Sequence, residues 1–191
     1  INNKLITIAI LSDNVIEKNS QSENSSSENT LTSNEILILE ELNEFRVNPC
    51  SFEKNLKLAS KLLSRNIKRK SQSIELLSII SNLKSFPKQD KFIVSLDLCK
   101  AADDLMKLVN EEINKNQSYS LEYYKEFIEK NIYDVIGKYV KNHGNIFFIL
   151  DEGSHTQLIA RCLTSDIDPN RENIKALLNE YYQYIGFASN D

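Results

Sequence analysis

Residues that break helices are scarce in this chain, which has four glycines and three prolines among its 191 residues. Sandwiches and barrels built from short strands need a turn roughly every ten residues, and Gly and Pro supply most of those turns. The chain has too few of them for such a fold. We therefore predict a helix-dominated domain, and a chain of this length with 41% hydrophobic content can bury one sizeable core.

A polar segment near the N-terminus sets the predicted domain boundary. Residues 17–32 are almost wholly Ser, Asn, Glu and Gln, a composition that buries too little apolar surface to offset the entropy lost on ordering. We predict that 1–32 form an N-terminal segment with a linker and that 33–191 form the domain. The apolar run 5–11 is too short to cross a membrane, so it predicts a strand or docking segment.

Helical periodicity recurs along the rest of the chain. Ser33 predicts an N-cap for the first helix, and Asn48-Pro49 predicts its end, because proline disfavours helical geometry in the residue before it. Apolar, β-branched and aromatic runs between turn residues predict strands. The predicted helices lie at 35–46, 51–70, 74–83, 98–114, 121–141, 156–165 and 171–178, and the later strands at 145–150 and 181–188.

The second predicted helix is amphipathic, with an unusually basic outer face. Its cations recur every three or four residues: Lys54, Lys57, Lys61, Arg65 and Lys68. A plain solvated face is one interpretation, and a surface for anionic lipid, an acidic protein tail or nucleic acid is the other. The net charge of −4 gives no electrostatic case for nucleic acid. We expect a protein partner, and the aromatic segment 119–139 is a further candidate surface.

Three motifs follow one another between residues 35 and 188. They are Asn43-Glu-Phe-Arg46 with Asn48-Pro49, Leu96-Asp-Leu-Cys-Lys-Ala-Ala102, and Asp166 with Asp168-Pro-Asn-Arg171 and Tyr184-Ile-Gly186. In this order they resemble the CAP superfamily, the cysteine-rich secretory, antigen 5 and pathogenesis-related-1 group. The resemblance implies an α+β fold of the α-β-α sandwich type, helix-rich, with a small antiparallel sheet between helical layers.

The resemblance also implies where a metal site would lie, and the residues there do not suit one. Many members of that superfamily hold a divalent metal with two histidines and two acidic residues, and the match places the histidines at Leu105 and Asn173. Elsewhere, Glu152 and His155 are three residues apart, but Gly153 interrupts the helical turn that would bring them together. They are weak metal candidates. We predict no bound metal, no cofactor and no catalytic residue.

Covalent chemistry is not indicated either. No Gly-x-Ser-x-Gly, Cys/His or glycine-rich phosphate-binding signature occurs. Acidic pairs such as Asp103-Asp104 and Glu111-Glu112 are explained by helix surfaces. The cysteines Cys50, Cys99 and Cys162 cannot all pair within the chain, so buried free thiols are predicted.

The C-terminal strand is the other predicted contact site. CAP domains continue beyond the Ile-Gly strand into a hairpin, whereas this sequence ends at Asp191, which implies a sheet left incomplete at the C-terminus. The strand 181–188 would then be an open edge where a partner adds a strand, with Tyr181, Tyr182 and Tyr184 in the contact. Pairing of this strand with residues 5–11 would exclude that hypothesis.

These observations predict a non-catalytic CAP-like domain that acts as a protein-interaction or structural scaffold component. One alternative is a lipid or sterol carrier with an apolar groove lined by Phe127, Ile128, Phe147 and Phe148. The other is a metal-dependent hydrolase with a relocated site at Glu152 and His155. An intracellular assembly, such as a cytoskeletal one, and secretion both stay open. No transmembrane segment is predicted.

Overall fold

The computed structural model describes residues 5–12, 31–65, 70–115, 121–139, 146–151, 160, 163–164 and 172–189. Its elements, in chain order, are β1 (Leu5–Ser12), α1 (Ser33–Val47), α2 (Glu53–Ser64), α3 (Lys70–Asn82), β2 (Ile93–Val94), α4 (Leu96–Lys115), α5 (Leu121–Ile136), β3 (Ile146–Asp151), α6 (Glu172–Leu177) and β4 (Tyr184–Ser189). Short 3₁₀ turns at Pro49–Phe52 and Leu83–Ser85 follow α1 and α3.

Helix α1 begins and ends at sequence signals. Thr32, one residue before the predicted Ser33, is the N-cap, because its hydroxyl accepts the Glu35 N–H at 3.2 Å while the Glu35 carboxylate accepts the Thr32 N–H at 2.9 Å. This reciprocal pair is a capping box. The helix stops at Val47, just before Asn48-Pro49, as predicted.

Helix α2 is shorter than predicted. The sequence pattern predicts one helix over 51–70, whereas α2 ends at Ser64 and α3 begins at Lys70, with 66–69 outside the described residues. Small side chains let the two helices approach closely. The Ser60 hydroxyl donates to the Ser73 carbonyl at 3.1 Å, and the Ser73 hydroxyl donates to the Ser60 carbonyl at 2.9 Å.

The described strands form a small mixed sheet in the order β2-β4-β1-β3. Strand β1 is antiparallel to both β3 and β4, as the predicted antiparallel sheet requires, but β2 runs parallel to β4. The sequence pattern gives no sign of β2, because two residues are too few for an alternating pattern.

Helical layers cover both faces of this sheet. Ala9 and Leu11 of β1 face a core cluster formed with α1, α2, α3 and α6, whereas Ile8 and Ile10 face a second cluster formed with α4 and α5. All four side chains are buried. Because alternate residues of a strand point to opposite faces, this pattern makes the molecule an α-β-α sandwich. The predicted helix-rich α+β class is confirmed.

The position of β4 corrects the predicted open edge. Residues Thr7 to Ser12 pair with Ser189 to Tyr184 on one side of β4, and β2 pairs on its other side at Tyr184 and Ile185. Strand addition at 181–188 is therefore wrong, since β4 is an inner strand. The same pairing shows that the predicted division between residues 32 and 33 separates β1 from the sheet to which it belongs.

Strand β4 also begins later than predicted. It starts at Tyr184, whereas Tyr181 lies in a turn before it.

Most of the predicted helix 156–165 lies outside the described residues. Within the described parts of the chain, no helix is long and apolar enough to cross a membrane.

Candidate functional site

Arg46, the last residue of the Asn-x-x-Arg motif, is a buried cross-link. Its side chain is 2% exposed. The guanidinium donates from Nε to the Asp90 carbonyl at 2.5 Å, from Nη1 to the Leu177 carbonyl at 2.5 Å, and from Nη2 to the carbonyls of Asn179 at 3.0 Å and Tyr182 at 2.6 Å. One side chain thus joins the end of α1 to the segments that lead into β2 and β4.

The neighbouring contacts reinforce this structural role. The Asn43 Oδ1 accepts the Phe92 N–H at 2.8 Å, and the Arg46 guanidinium carbon lies 4.2 Å from the centroid of the Phe92 ring. Burial lowers the pKa of Arg46, and the charge of Asp90 partly opposes that shift. The Asn-x-x-Arg motif therefore holds three segments together and does not present its cation to a ligand.

The structure does not describe a metal site at the two positions where the resemblance would place histidines. Leu105 is fully buried in the core between the sheet and α4 and α5. The Asn173 side chain, Glu152 and His155 lie outside what the structure describes. Among the described residues, no group of three His, Cys, Asp or Glu side chains is placed to hold a metal ion.

The structure describes two of the three cysteines, and their exposure can be compared with the prediction that the thiols are buried. Cys99 is buried, and burial is the main cause that raises the pKa of this thiol, while the Phe187 backbone partly opposes that shift. Cys50 is exposed, so the prediction is wrong for this residue. It lies in the 3₁₀ turn whose buried side chains are Pro49 and Phe52. Cys162 is outside the described residues.

One residue of each acidic pair on α4 accepts a hydrogen bond from α5 or from the turn after it. The Tyr139 hydroxyl donates to Asp104 Oδ2 at 2.7 Å, which lowers the pKa of Asp104, and the Tyr123 hydroxyl donates to Glu112 Oε1 at 2.7 Å. Tyr133 is 62% exposed, whereas the Tyr124 side chain is outside the description. Some side chains of the aromatic segment 119–139 therefore pack between helices, whereas others lie at the surface.

The described part of the proposed lipid groove is filled. Ile128 is 3% exposed within the second core cluster, and the ring of Phe127 stacks on Tyr123 with centroids 6.5 Å apart. The side chains of Phe147 and Phe148 are not described.

Two shallow grooves lie elsewhere on the surface, with volumes of about 310 and 340 Å³. The first groove is lined by Ile79, Asn82, Ser85, Phe86, Ile174 and Lys175. The second groove is lined by Glu40, Asn43, Glu44, Val47, Asn48 and Lys91.

Glu41 of α1 is half-buried, and its carboxyl group lies in an environment that raises its pKa towards neutral pH. Its Oε2 atom is buried without a hydrogen-bond partner, and burial, with a smaller contribution from Glu44, raises the pKa of Glu41 to about 7. Between the ordinary value of 4.5 and 7, the folded chain holds a proton that the unfolded chain has released. The contribution of Glu41 to stability therefore falls as the pH rises through this window.

We expect Glu41→Gln to remove this pH dependence. Above pH 7 the variant should unfold with a free energy about 1 kcal/mol higher than the wild type, less than the full pKa shift would give because the side chain is partly solvated. Urea unfolding above and below the window measures this difference, with Glu40→Gln, at an exposed neighbour, as the control. A stabilisation by Glu41→Gln that is the same at both pH values would contradict the assignment.

The outer face of α2 carries the predicted cations in the open. Lys54, Lys57, Lys61 and Arg65 are all exposed. Lys57 forms an ion pair with Glu53, whereas no described carboxylate lies within ion-pair distance of the other three. Lys68 falls outside the described residues.

Leu58 also lies on this face and was not among the predicted surface residues. It is 53% exposed among the cations, because Leu56, Ala59 and Leu63 fill the buried side of α2. The burial of Arg46 and Glu41 was likewise not visible in the sequence.

The three tyrosines predicted to bind a partner lie in different environments. Tyr181 is 70% exposed. Tyr182 is half-buried against the first core cluster, and Tyr184 is half-buried against the second. The structure therefore does not bring them together as one surface, and only Tyr181 presents most of its ring to solvent.

A scan of the chain against protein-family models gave no match, and searches of curated proteins and of solved structures gave none either. The assignment to the CAP superfamily stays a prediction that rests on the three motifs.

Proposed function

We propose that this chain is a non-catalytic interaction domain, a scaffold component that docks on an anionic partner through the outer face of α2. The observation that carries this proposal is the set of exposed cations Lys54, Lys61 and Arg65, which no described carboxylate neutralises. Unpaired cations on one face attract an anionic surface and orient the molecule towards it.

The packing of α2 supports a binding role. Leu56, Ala59 and Leu63 are buried in the first core cluster, and the hydroxyls of Ser60 and Ser73 fix α2 against α3. The backbone that carries the cations is therefore already ordered before a partner arrives. A preordered site loses less conformational entropy on binding than a flexible one does.

The roles of the motif residues also favour a binding function over a catalytic function. The Arg46 guanidinium donates hydrogen bonds to four backbone carbonyls, and Leu105 is part of the apolar core. Arg46, and Leu105 where the resemblance would place a metal-binding histidine, thus have structural roles. On the outer face of α2, by contrast, Lys54, Lys61 and Arg65 form no ion pair with a described carboxylate.

Association in native extract tests this proposal. We expect the wild-type chain to sediment in a larger assembly, and the K54Q/K61Q/R65Q variant to be recovered mostly as the free chain. The matched control K115Q/K130Q/K138Q removes three exposed lysines from α4, α5 and the turn after α5, in the opposite helical layer, and should behave like the wild type. Wild-type chain that sediments alone, or equal losses in both variants, would refute the proposal.

A further inference from the structure

We propose that the partner of the α2 face is the surface of an anionic lipid bilayer. This inference rests on the proposed function and names the chemistry of its partner. Lysine and arginine side chains bind the phosphate and carboxylate groups of anionic lipids, and each contributes when it lies close to the surface. Three features of the outer helical layer favour a bilayer over a soluble acidic protein.

The first feature is the concentration of charge. Residues 53–70 carry seven basic side chains and one acidic one, although the whole chain has a net charge of −4. The remainder of the chain is therefore strongly acidic. A bilayer that carries negative charge attracts the α2 face and repels the rest of the molecule, so only one orientation is favoured.

The second feature is exposed aliphatic surface in the same layer. Leu58 on α2 is 53% exposed, and on α3 Ile74 is 62% and Leu77 is 54% exposed. Because α2 and α3 bury their other sides in one core cluster, their exposed sides both turn away from the sheet. Aliphatic side chains among cations can enter the boundary between headgroups and acyl chains, whereas a soluble polyanion gives them little to contact.

The third feature is the shape of the surface. Neither of the two grooves described above, which lie beside α1 and between the end of α3 and α6, includes a residue of α2. The cations instead stand on the outer side of a packed helix. An extended acidic peptide is usually held in a groove or at a strand edge, whereas the exposed side of an amphipathic helix can lie against a flat surface.

Sedimentation of the full chain with phosphatidylcholine vesicles, with and without phosphatidylserine, tests the inference. We expect binding only when phosphatidylserine is present. The K54Q/K61Q/R65Q variant should bind roughly a hundredfold more weakly, since each basic residue contributes about 1 kcal/mol at such a surface and about 1.4 kcal/mol corresponds to a factor of ten. The K115Q/K130Q/K138Q control should keep wild-type affinity.

A variant without a charge change tests the aliphatic contact. Leu58→Gln should weaken binding several-fold, and this loss should persist at high salt, where charge interactions are screened. No loss with Leu58→Gln would overturn the bilayer assignment in favour of a soluble polyanion. Circular dichroism of each variant establishes that the helices are intact.

Other outcomes separate the inference from the function on which it rests. Failure of the wild-type chain to bind phosphatidylserine vesicles, or equal binding to phosphatidylcholine alone, would overturn the inference. If association in extract still depended on Lys54, Lys61 and Arg65, the proposed function would stand with an acidic protein as the partner. If that association were also absent, both proposals would fail.

Discussion

Arg46→Met should lower the free energy of unfolding by about 3–5 kcal/mol, because it removes a buried group that makes four charge-assisted hydrogen bonds. Methionine fills a similar length but donates no hydrogen bond. The four backbone carbonyls that the guanidinium now satisfies would lose their donor, and the Leu177 carbonyl would lose it in a buried position. Each unsatisfied buried acceptor carries a desolvation penalty.

Two further variants separate geometry from charge in this prediction. Arg46→Lys keeps the charge but lacks the planar fork that reaches several acceptors, so it should lose most of the same stability. Arg65→Met removes an exposed arginine from α2 and should change stability by less than about 0.5 kcal/mol. The chain has no tryptophan, so urea unfolding is best followed by circular dichroism. Equal effects of Arg46→Met and Arg65→Met would contradict the cross-link.

Several of the described helices could be predicted from local patterns, although the N-cap of α1 is Thr32 and not the predicted Ser33, and the helix predicted over 51–70 ends at Ser64. The capping residues before α1, the Asn48-Pro49 stop and the apolar spacing of α4 are all signals that act within a few residues. The sheet could not be predicted in the same way. Its central strand β1 is separated from its partners by the polar segment 17–32 and by most of the domain, and such distant pairings leave no trace in a single sequence.

The candidate site could be predicted only in part, because some of its features are local in the sequence and others depend on the packing of distant segments. The basic stripe of α2 follows from spacing alone, because residues three or four apart share a helical face. Leu58 follows the same spacing rule, yet its exposure depends on how α2 is rotated against the core. Arg46 resembles a surface arginine in the sequence, and only the approach of the segments around Asp90 and Leu177 makes it a buried one.

Gly186 is the second position where we expect a large effect, and it explains the glycine of the Tyr184-Ile-Gly186 motif. A Cβ atom at this position would lie 2.2 Å from the Leu98 carbonyl carbon and 2.4 Å from the Cys99 nitrogen. Both are backbone atoms of the first turn of α4, so no side-chain rotation can relieve the overlap. Helix α4 packs directly on the backbone of β4 at this residue.

Gly186→Ala should therefore cost about 3 kcal/mol or more, or prevent folding, because the clash requires α4 to move away from the sheet. A hydrogen bond resists that movement, because the Ser95 N–H, just before α4, donates to the Ile185 carbonyl of β4 at 2.9 Å. Soluble yield and urea unfolding measure the effect. Tyr184→Phe, a half-buried position in the same strand, serves as the control and should change stability by less than about 1 kcal/mol. Gly186→Ala protein as stable as this control would show that α4 and β4 are not in such close contact.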